Sequence, residues 1–324
     1  MKRLRSKHTG TGSHNSRFGG GRLAVRWTLV SPRIALAVTD VYADEDPDRD
    51  TPLLLDALRA RGAVAEAVVW HDPAVRPADY DLLAIRSTWD YPERPAEFDA
   101  WLTQAAAATR VVNTAATVRW NLDKAYLRAL ATAGIGTVPT AYSRTGADAR
   151  TALAAHAGGR AVIKPSFSAG ARDTGLFEAT DPRALALAER IVRGGGTAMV
   201  QPEVPELSAG AERALYVIDG HHTHTIAKGA LLDVGGGFRG GHYRENPVPV
   251  EATAAERRFA EDVLRAVVEV TGEPLPLYAR IDVVDSAAYG LVLLEAELIE
   301  PALNLHVAPH AVGAVADALL RAAR

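Results

Sequence analysis

Apolar residues in this chain fall in short blocks set between polar turns. Ile34 to Val38 is an unbroken apolar run that stops at Thr39-Asp40. A run that short, bounded by turn residues, predicts a strand buried on both faces. Leu53 to Arg61 has helical spacing and is closed by Gly62; Ala63 to Trp70 predicts a second strand and Leu82 to Ile85 a third. Strand, helix and strand in this order predict a parallel sheet covered by helices. Ligands of such sheets lie beyond the carboxyl ends of the strands. Arg86-Ser87-Thr88-Trp89-Asp90-Tyr91 falls there. Glu97 to Ala108 predicts a helix and Val111 to Asn113 a short edge strand.

Further along, Asn121 to Ala133 predicts one helix with Asp123-Lys124 in its first turn, closed by Gly134. Ala161 to Pro165 predicts a strand that runs into a loop of small residues, Ser166 to Ala171. Ala184 to Arg193 predicts a helix, and Ala198 to Gln201 a strand. Arg213 to Ile218 and Thr223 to Lys228 pair across Asp219-Gly220 as a hairpin. The glycine-rich stretch 235–241 predicts a lid, Ala254 to Thr271 the longest amphipathic helix, and Val312 to Ala323 the last one. A second hairpin joins Arg280-Ile281-Asp282-Val283-Val284 to Leu293 through Pro301. The expected units are a basic extension (1–32), an α/β domain (33–118) and two further subdomains (119–198 and 199–324), with no internal repeat.

Composition narrows the partners. The nominal charge of -3 conceals an asymmetry: eight of the 36 Lys and Arg lie in residues 1–33, which hold no acid. The remainder carries 28 basic against 39 acidic residues, a net of -11, which argues against a nucleic-acid partner. The basic head is rich in Gly, Ser and Thr, buries no core by its pattern, and is expected to be disordered. No apolar run approaches the length of a membrane span, so a cytoplasmic protein without a membrane partner is expected; self-association is left open. There is no cysteine, which excludes thiol nucleophiles and thiolate metal sites. His221, His222 and His224 cluster at a turn, and Pro309 interrupts the His306/His310 pair, so surface or core roles are expected for them.

The second hairpin concentrates the candidate chemistry. Strand side chains alternate faces, so Arg280 shares a face with Asp282, and Glu295 with Glu297. If those faces coincide, three oxygen-donor acids suit a hard cation such as Mg2+, beside an arginine suited to phosphate charge. Solvated acids on an exposed hairpin are the plain alternative. Lys164 ends a strand before a small-residue loop whose backbone N–H groups suit phosphate oxygens. Neither the phosphate-loop motif nor the dinucleotide glycine fingerprint is present.

The order Asp123-Lys124, Lys164-Pro165-Ser166, Gln201-Pro202-Glu203-Val204 and then the two-carboxylate hairpin resembles the ATP-grasp superfamily of D-alanine–D-alanine ligase and glutathione synthetase, over about residues 118–310. Arg86 to Tyr91, Val118 to Leu127 and Glu297 to Pro301 look like the subgroup that contains O-ureido-D-serine cyclo-ligase. The resemblance implies an α/β fold of ATP-grasp type, with a parallel-sheet N-terminal domain and two subdomains that hold the nucleotide between them. It implies ATP and two Mg2+ ions. Lys124, Lys164, Ser166 and Gly170 would hold the phosphates. Gln201, Glu203 and Val204 would form the adenine hinge, and Glu212 would meet the ribose, with Glu206 as its competitor. Asp282, Glu295 and Glu297 would hold the metal; Glu297 stands where the better-known relatives have Asn. Arg213, Lys228 and Arg280 would surround the transferring phosphoryl group. Arg86, Ser87, Asp90 and Arg239 would meet a small amino-acid-like substrate, although a packing role for Arg86 to Asp90 is equally open. The implied activity is carboxylate–amine ligation through an acyl phosphate, either on a small molecule in antibiotic biosynthesis or on a peptide. A non-catalytic nucleotide-binding module is the remaining alternative.

Overall fold

Three sheets organise the chain in the computed structural model, which describes residues 31–42, 47–168, 170, 172–237 and 246–324. The expected extension lies outside the described residues up to residue 30, as does the lid from residue 238, including Arg239. The first sheet is parallel, in the order β2-β1-β3-β4, from β1 (Arg33–Val38), β2 (Val64–Val69), β3 (Leu82–Ser87) and β4 (Arg110–Val112). Its two central strands, β1 and β3, are the two unbroken apolar runs, and burial on both faces explains that pattern. Helices α1 (Asp50–Ala60) and α2 (Pro95–Ala108) cover it. Then follow α3 (Ala115–Asn121) and α4 (Tyr126–Thr132) in place of the single helix expected over 121–133.

The break between α3 and α4 has a tertiary cause. Asn121 donates to the Ala296 C=O and accepts the Leu298 N–H, both at 2.8 Å, while the Lys124 N–H turns away to the Ser166 C=O at 2.7 Å. Asp123 accepts the Ala125 N–H at 2.8 Å and fixes the turn. Lys124 therefore sits on a turn that faces two other segments, not on a helix.

The second sheet is antiparallel, in the order β5-β8-β6-β7, from β5 (Ala141–Ser143), β6 (Arg160–Pro165), β7 (Gly175–Glu178) and β8 (Ala198–Pro202). Helices α5 (Gly146–Ala154) and α6 (Pro182–Arg193) back it. The boundary expected after residue 198 runs through β8, so this sheet takes in residues up to Pro202.

After the short α7 (Pro205–Ser208), the third sheet is antiparallel in the order β11-β10-β9-β12-β13. Its strands are β9 (Glu212–Ile218), β10 (His221–Lys228), β11 (Val248–Val250), β12 (Tyr278–Ser286) and β13 (Gly290–Glu297). Its two faces serve two cores. Leu215, Val217, Ile281 and Val283 pack under α8 (Ala254–Thr271), whose start is fixed by a Thr253–Glu256 capping box and whose end by Gly272 at φ 69°. Ala214, Tyr216 and Tyr278, on the other face, join Leu54 and Leu58 of α1 and Val315 and Leu319 of α9 (Val312–Ala322) in one continuous core. His224 belongs to that core: it stacks on Tyr216 at 4.1 Å and its Nε2 meets the Leu303 C=O at 2.8 Å.

Side chains lock the first sheet onto the third. The Tyr278 hydroxyl lies 2.6 Å from the Ile85 C=O and 2.8 Å from that of Val112. Asp50, in the first turn of α1, accepts the backbone N–H groups of Leu303 (2.6 Å), Asn304 (3.1 Å) and Leu305 (2.7 Å). Burial raises the Asp50 carboxyl above its ordinary range, with Arg86 and these N–H groups opposing. Among the described residues, no helix is long and apolar enough to cross a membrane.

Candidate active site

One face of the third sheet opens into a cavity of about 790 Å³, walled by the second and third sheets and by the segments that follow β1 and β3 of the first. The floor is the β12–β13 hairpin. Arg280 pairs with Glu297 in register and Asp282 with Glu295, so all four side chains do share one face. Each acid already holds a cation. Asp282, almost wholly buried, receives Arg280 Nε and Nη2 at 2.9 and 2.8 Å and Lys228 at 3.1 Å. Glu295 holds Lys124 at 3.1 Å, and Glu297 holds Arg280 at 2.5 Å. Among the described residues, no three His, Cys, Asp or Glu side chains converge on a point a metal could occupy. Each of the three carboxylates is engaged by a basic side chain, so a metal cation would compete with those ion pairs.

Electrostatics sorts the acids into two sets. Burial pushes Asp282 up, but Arg280 and Lys228 more than offset it and hold the carboxyl below its ordinary range. Glu295 is likewise pushed up by burial and brought below its usual value by Lys124 and Lys164. Glu297 goes the other way. Burial raises it to about 7, Glu295 and Asp282 adding to the effect and Arg280 resisting it.

Lys164 stands at the end of β6, half-buried, with no ion-pair partner among the described residues. Burial lowers its pKa and Glu295 pulls it back. A half-buried ammonium with no ion-pair partner among the described residues suits an anion. With Lys124, Lys228 and Arg280 lining the same cavity, the residues fit a polyphosphate, and the all-oxygen donors fit a hard divalent cation. Lys124 also donates to the Ser168 C=O at 2.7 Å, which ties it to the small-residue loop.

The hinge residues line the cavity. Gln201 donates to Thr140 at 2.8 Å. The Glu203 N–H goes to the Arg160 C=O at 2.9 Å and the Val204 C=O accepts the Leu207 N–H at 2.9 Å. Among the described residues the Glu203 C=O and the Val204 N–H have no backbone partner, one acceptor and one donor side by side. Glu212 lines the cavity and pairs with Lys228 at 3.1 Å, whereas its competitor Glu206 accepts the Ala287 N–H and stays outside. Gly170 also lines the cavity, at φ 61°.

Four expected site residues lie elsewhere. Arg213 points to the opposite face of β9 and pairs with Glu256 at 3.2 Å; adjacent strand residues cannot share a face, and Glu212 holds the cavity side. Ser166 is buried, its N–H bonded to the Thr197 C=O and its C=O to Lys124. Arg86 is buried over the Tyr278 ring at 5.1 Å and donates to the Pro301 C=O at 2.8 Å, so packing, not substrate, holds it. Ser87 bonds to Asp48 at 2.6 Å and is also buried. Asp90 does reach the cavity wall, where it accepts the Trp70 N–H at 2.8 Å. Glu300, which no periodicity marks, lines the cavity beside Glu297.

Known proteins resemble this chain in sequence and fold. Residues 34–113 match the family model described as the N-terminal domain of D-cycloserine synthetase DcsG. The cycloserine biosynthesis protein DcsG of Streptomyces lavendulae is 34% identical over 273 residues, which is 80% of this chain and 88% of that protein. A crystal structure of D-cycloserine synthetase DcsG superposes with a TM-score of 0.83 at 31% identity, covering 90% of this chain and 100% of that one. D-alanine–D-alanine ligase of Bacillus anthracis, complexed with ATP, superposes at 0.62 and 13% identity over 90% and 97%, a likeness of fold. With its α/β architecture and cavity, the chain belongs to the DcsG family of ATP-grasp ligases, and it is therefore an enzyme that uses ATP to form a bond.

Proposed function

We propose that this enzyme is an ATP-dependent carboxylate–amine ligase for a small amino-acid-like substrate, acting through an acyl phosphate in the manner of a ring-closing ligase of cycloserine biosynthesis. The observation that supports it most is the register that sets Arg280, Asp282, Glu295 and Glu297 on one face under Lys124, Lys164 and Lys228. The 34% identity with the DcsG protein supports the cycloserine setting, and a cytoplasmic location goes with it.

ATP enters with its base at the Glu203 C=O and Val204 N–H and its ribose at Glu212. Lys124, Lys164 and Lys228 hold the phosphate oxygens. Asp282, Glu295 and Glu297 would hold two Mg2+ ions, which when bound offset phosphate charge and polarise the transferring group. A substrate carboxylate oxygen attacks the γ-phosphorus, the bond to the β-phosphate oxygen breaks, and ADP leaves. Arg280 stabilises the charge on the transferring oxygens. A substrate amine then attacks the acyl carbon, the bond to phosphate breaks, and the amine loses a proton. Attack from within the same molecule closes a ring. Side-chain nucleophiles have no part in this, in keeping with a chain that lacks cysteine.

Incubation with ATP, Mg2+ and a panel of amino acids that includes O-ureido-D-serine tests the reading. ADP and phosphate should form only when a suitable carboxylate is present. Formation of AMP and pyrophosphate would mean adenylation and would overturn the acyl-phosphate route.

A further inference from the structure

β13 is an edge strand of the third sheet, and its pairing with β12 changes step once. Val283 pairs with Leu293 and Asp282 with Glu295, so Leu294 is an extra residue, a bulge. The bulge reverses which residues face the cavity. Before it, Leu291 and Leu293 turn to the core under α8. After it, Ala296 and Leu298 take that side, and Glu295 and Glu297 line the cavity. An unbulged continuation would send both carboxylates into an apolar core. What holds the strand beyond the bulge lies on its outer edge. The Tyr126 hydroxyl, at the start of α4, accepts the Ala296 N–H at 2.8 Å and donates to the Ala296 C=O at 3.0 Å. Asn121 donates to that same C=O and accepts the Leu298 N–H, both at 2.8 Å. Both side chains are buried. They take the place of the neighbouring strand that a sheet edge lacks.

We propose that Tyr126 and Asn121 are positioning residues: they fix the register of β13 beyond its bulge, and so set where Glu295 and Glu297 stand. This rests on the ligase reading above, in which those two acids hold metal, and deepens it by naming what aims them. Tyr126 is not among the residues that line the cavity; its ring packs in the core under α8 and against Trp120 at 5.2 Å. Whatever it does for the site it therefore does through the Ala296 backbone, which lies between the two acids. Lys124, on the turn between Asn121 and Tyr126, pairs with Glu295 at 3.1 Å. One short segment thus grips the strand at its backbone and at its side chain. A carboxylate on an edge strand that can fray is a loose metal ligand, and a ligand held by its supporting shell is a firm one.

The test compares the full chain, wild type, with Tyr126→Phe, which deletes only the hydroxyl and leaves the Ala296 N–H without its acceptor. Asn121→Ala bares the Leu298 N–H instead, and it decides the matter if the Phe variant does not fold. Mn2+ stands in for Mg2+, since oxygen ligands suit both. Its binding in the presence of ADP is read from the paramagnetic resonance signal of the free ion, without turnover. Tyr126→Phe should weaken Mn2+ binding about 10-fold, the scale of one net hydrogen bond. ADP binding without metal should stay near wild type. Amide exchange should quicken about 10-fold over residues 294–298 and stay unchanged in the first sheet. The Mg2+ concentration that gives half-maximal ADP release should rise in step with the loss of Mn2+ affinity. A lower melting temperature with unchanged Mn2+ affinity would mean that the hydroxyl serves stability alone, and would overturn the proposal. If wild-type protein holds no Mn2+ with ADP, the metal reading of the hairpin fails and the proposal falls with it. If wild type and both variants hold Mn2+ equally, that reading stands and the proposal alone fails.

Discussion

Replacing Arg280 by methionine should destabilise the fold as well as slow the reaction. The guanidinium is nearly inaccessible and bridges two acids, with contacts of 2.9 and 2.8 Å to Asp282 and 2.5 Å to Glu297. Methionine fills most of the volume but leaves both carboxylates short of a cation. Breaking a buried ion pair from one side costs about 3–5 kcal/mol. Two features lower that figure here. Asp282 keeps Lys228 at 3.1 Å, and Glu297, already raised to about 7, can take up a proton. A loss of roughly 2–4 kcal/mol is expected. Urea denaturation at pH 7, followed by tryptophan fluorescence, measures it. Turnover should fall about 100-fold or more, because the arginine acts on charge that grows in the transition state, with ATP affinity little changed. Stability within about 0.5 kcal/mol of wild type would refute the bridging role. A normal turnover rate would remove Arg280 from the reacting group.

Asp282→Asn and Glu295→Gln should each abolish ATP turnover while a folded protein remains by circular dichroism, since each removes a charge at the proposed metal position; full activity in either would refute the hairpin's role. His224 should make the protein acid-sensitive. Burial lowers the ring to about 4 against 6.5 for the ordinary group, so between those values the unfolded chain binds more protons. Its contribution is complete above pH 6.5 and is lost as pH falls towards 4, by about 3 kcal/mol; His224→Phe should flatten urea stability over that window. Asp50→Ala should leave three buried N–H groups unpaired and lower stability by roughly 3–6 kcal/mol; a melting temperature near wild type would show that water replaces the carboxylate freely.

Much of the fold was legible because burial imposes its period on the sequence. The continuous runs of β1 and β3 announced a covered parallel sheet, and α8 carried both of its own end signals. The β12–β13 face was readable for the same reason: alternation leaves only one way to place Arg280, Asp282, Glu295 and Glu297 together. The α3–α4 break was not readable, since partners on β13 and β6's outgoing loop cause it. Alternation could have excluded Arg213 once Glu212 was chosen. Arg86 and Ser166 show a different limit. A polar residue at a strand end is as ready to cap the core as to meet a ligand, and sequence does not say which. Glu300 was missed because it lies past the last paired residue of β13, where the period of two no longer predicts direction.

The core that joins α1 to α9 has a consequence for the order in which the protein can be made. Residues 34–113, matched as a domain, bury Leu54 and Leu58 against Val315 and Leu319, and Asp50 against the N–H groups of 303–305. On the ribosome those partners are synthesised roughly 200 residues after the first sheet, at about 5–20 residues per second. The first sheet therefore spends on the order of ten seconds or more with one flank of its apolar surface uncovered. The same dependence governs chimeras: a first sheet transplanted between relatives needs the 298–322 segment from the same parent, or Leu54 and Leu58 arrive without the partners they pack against.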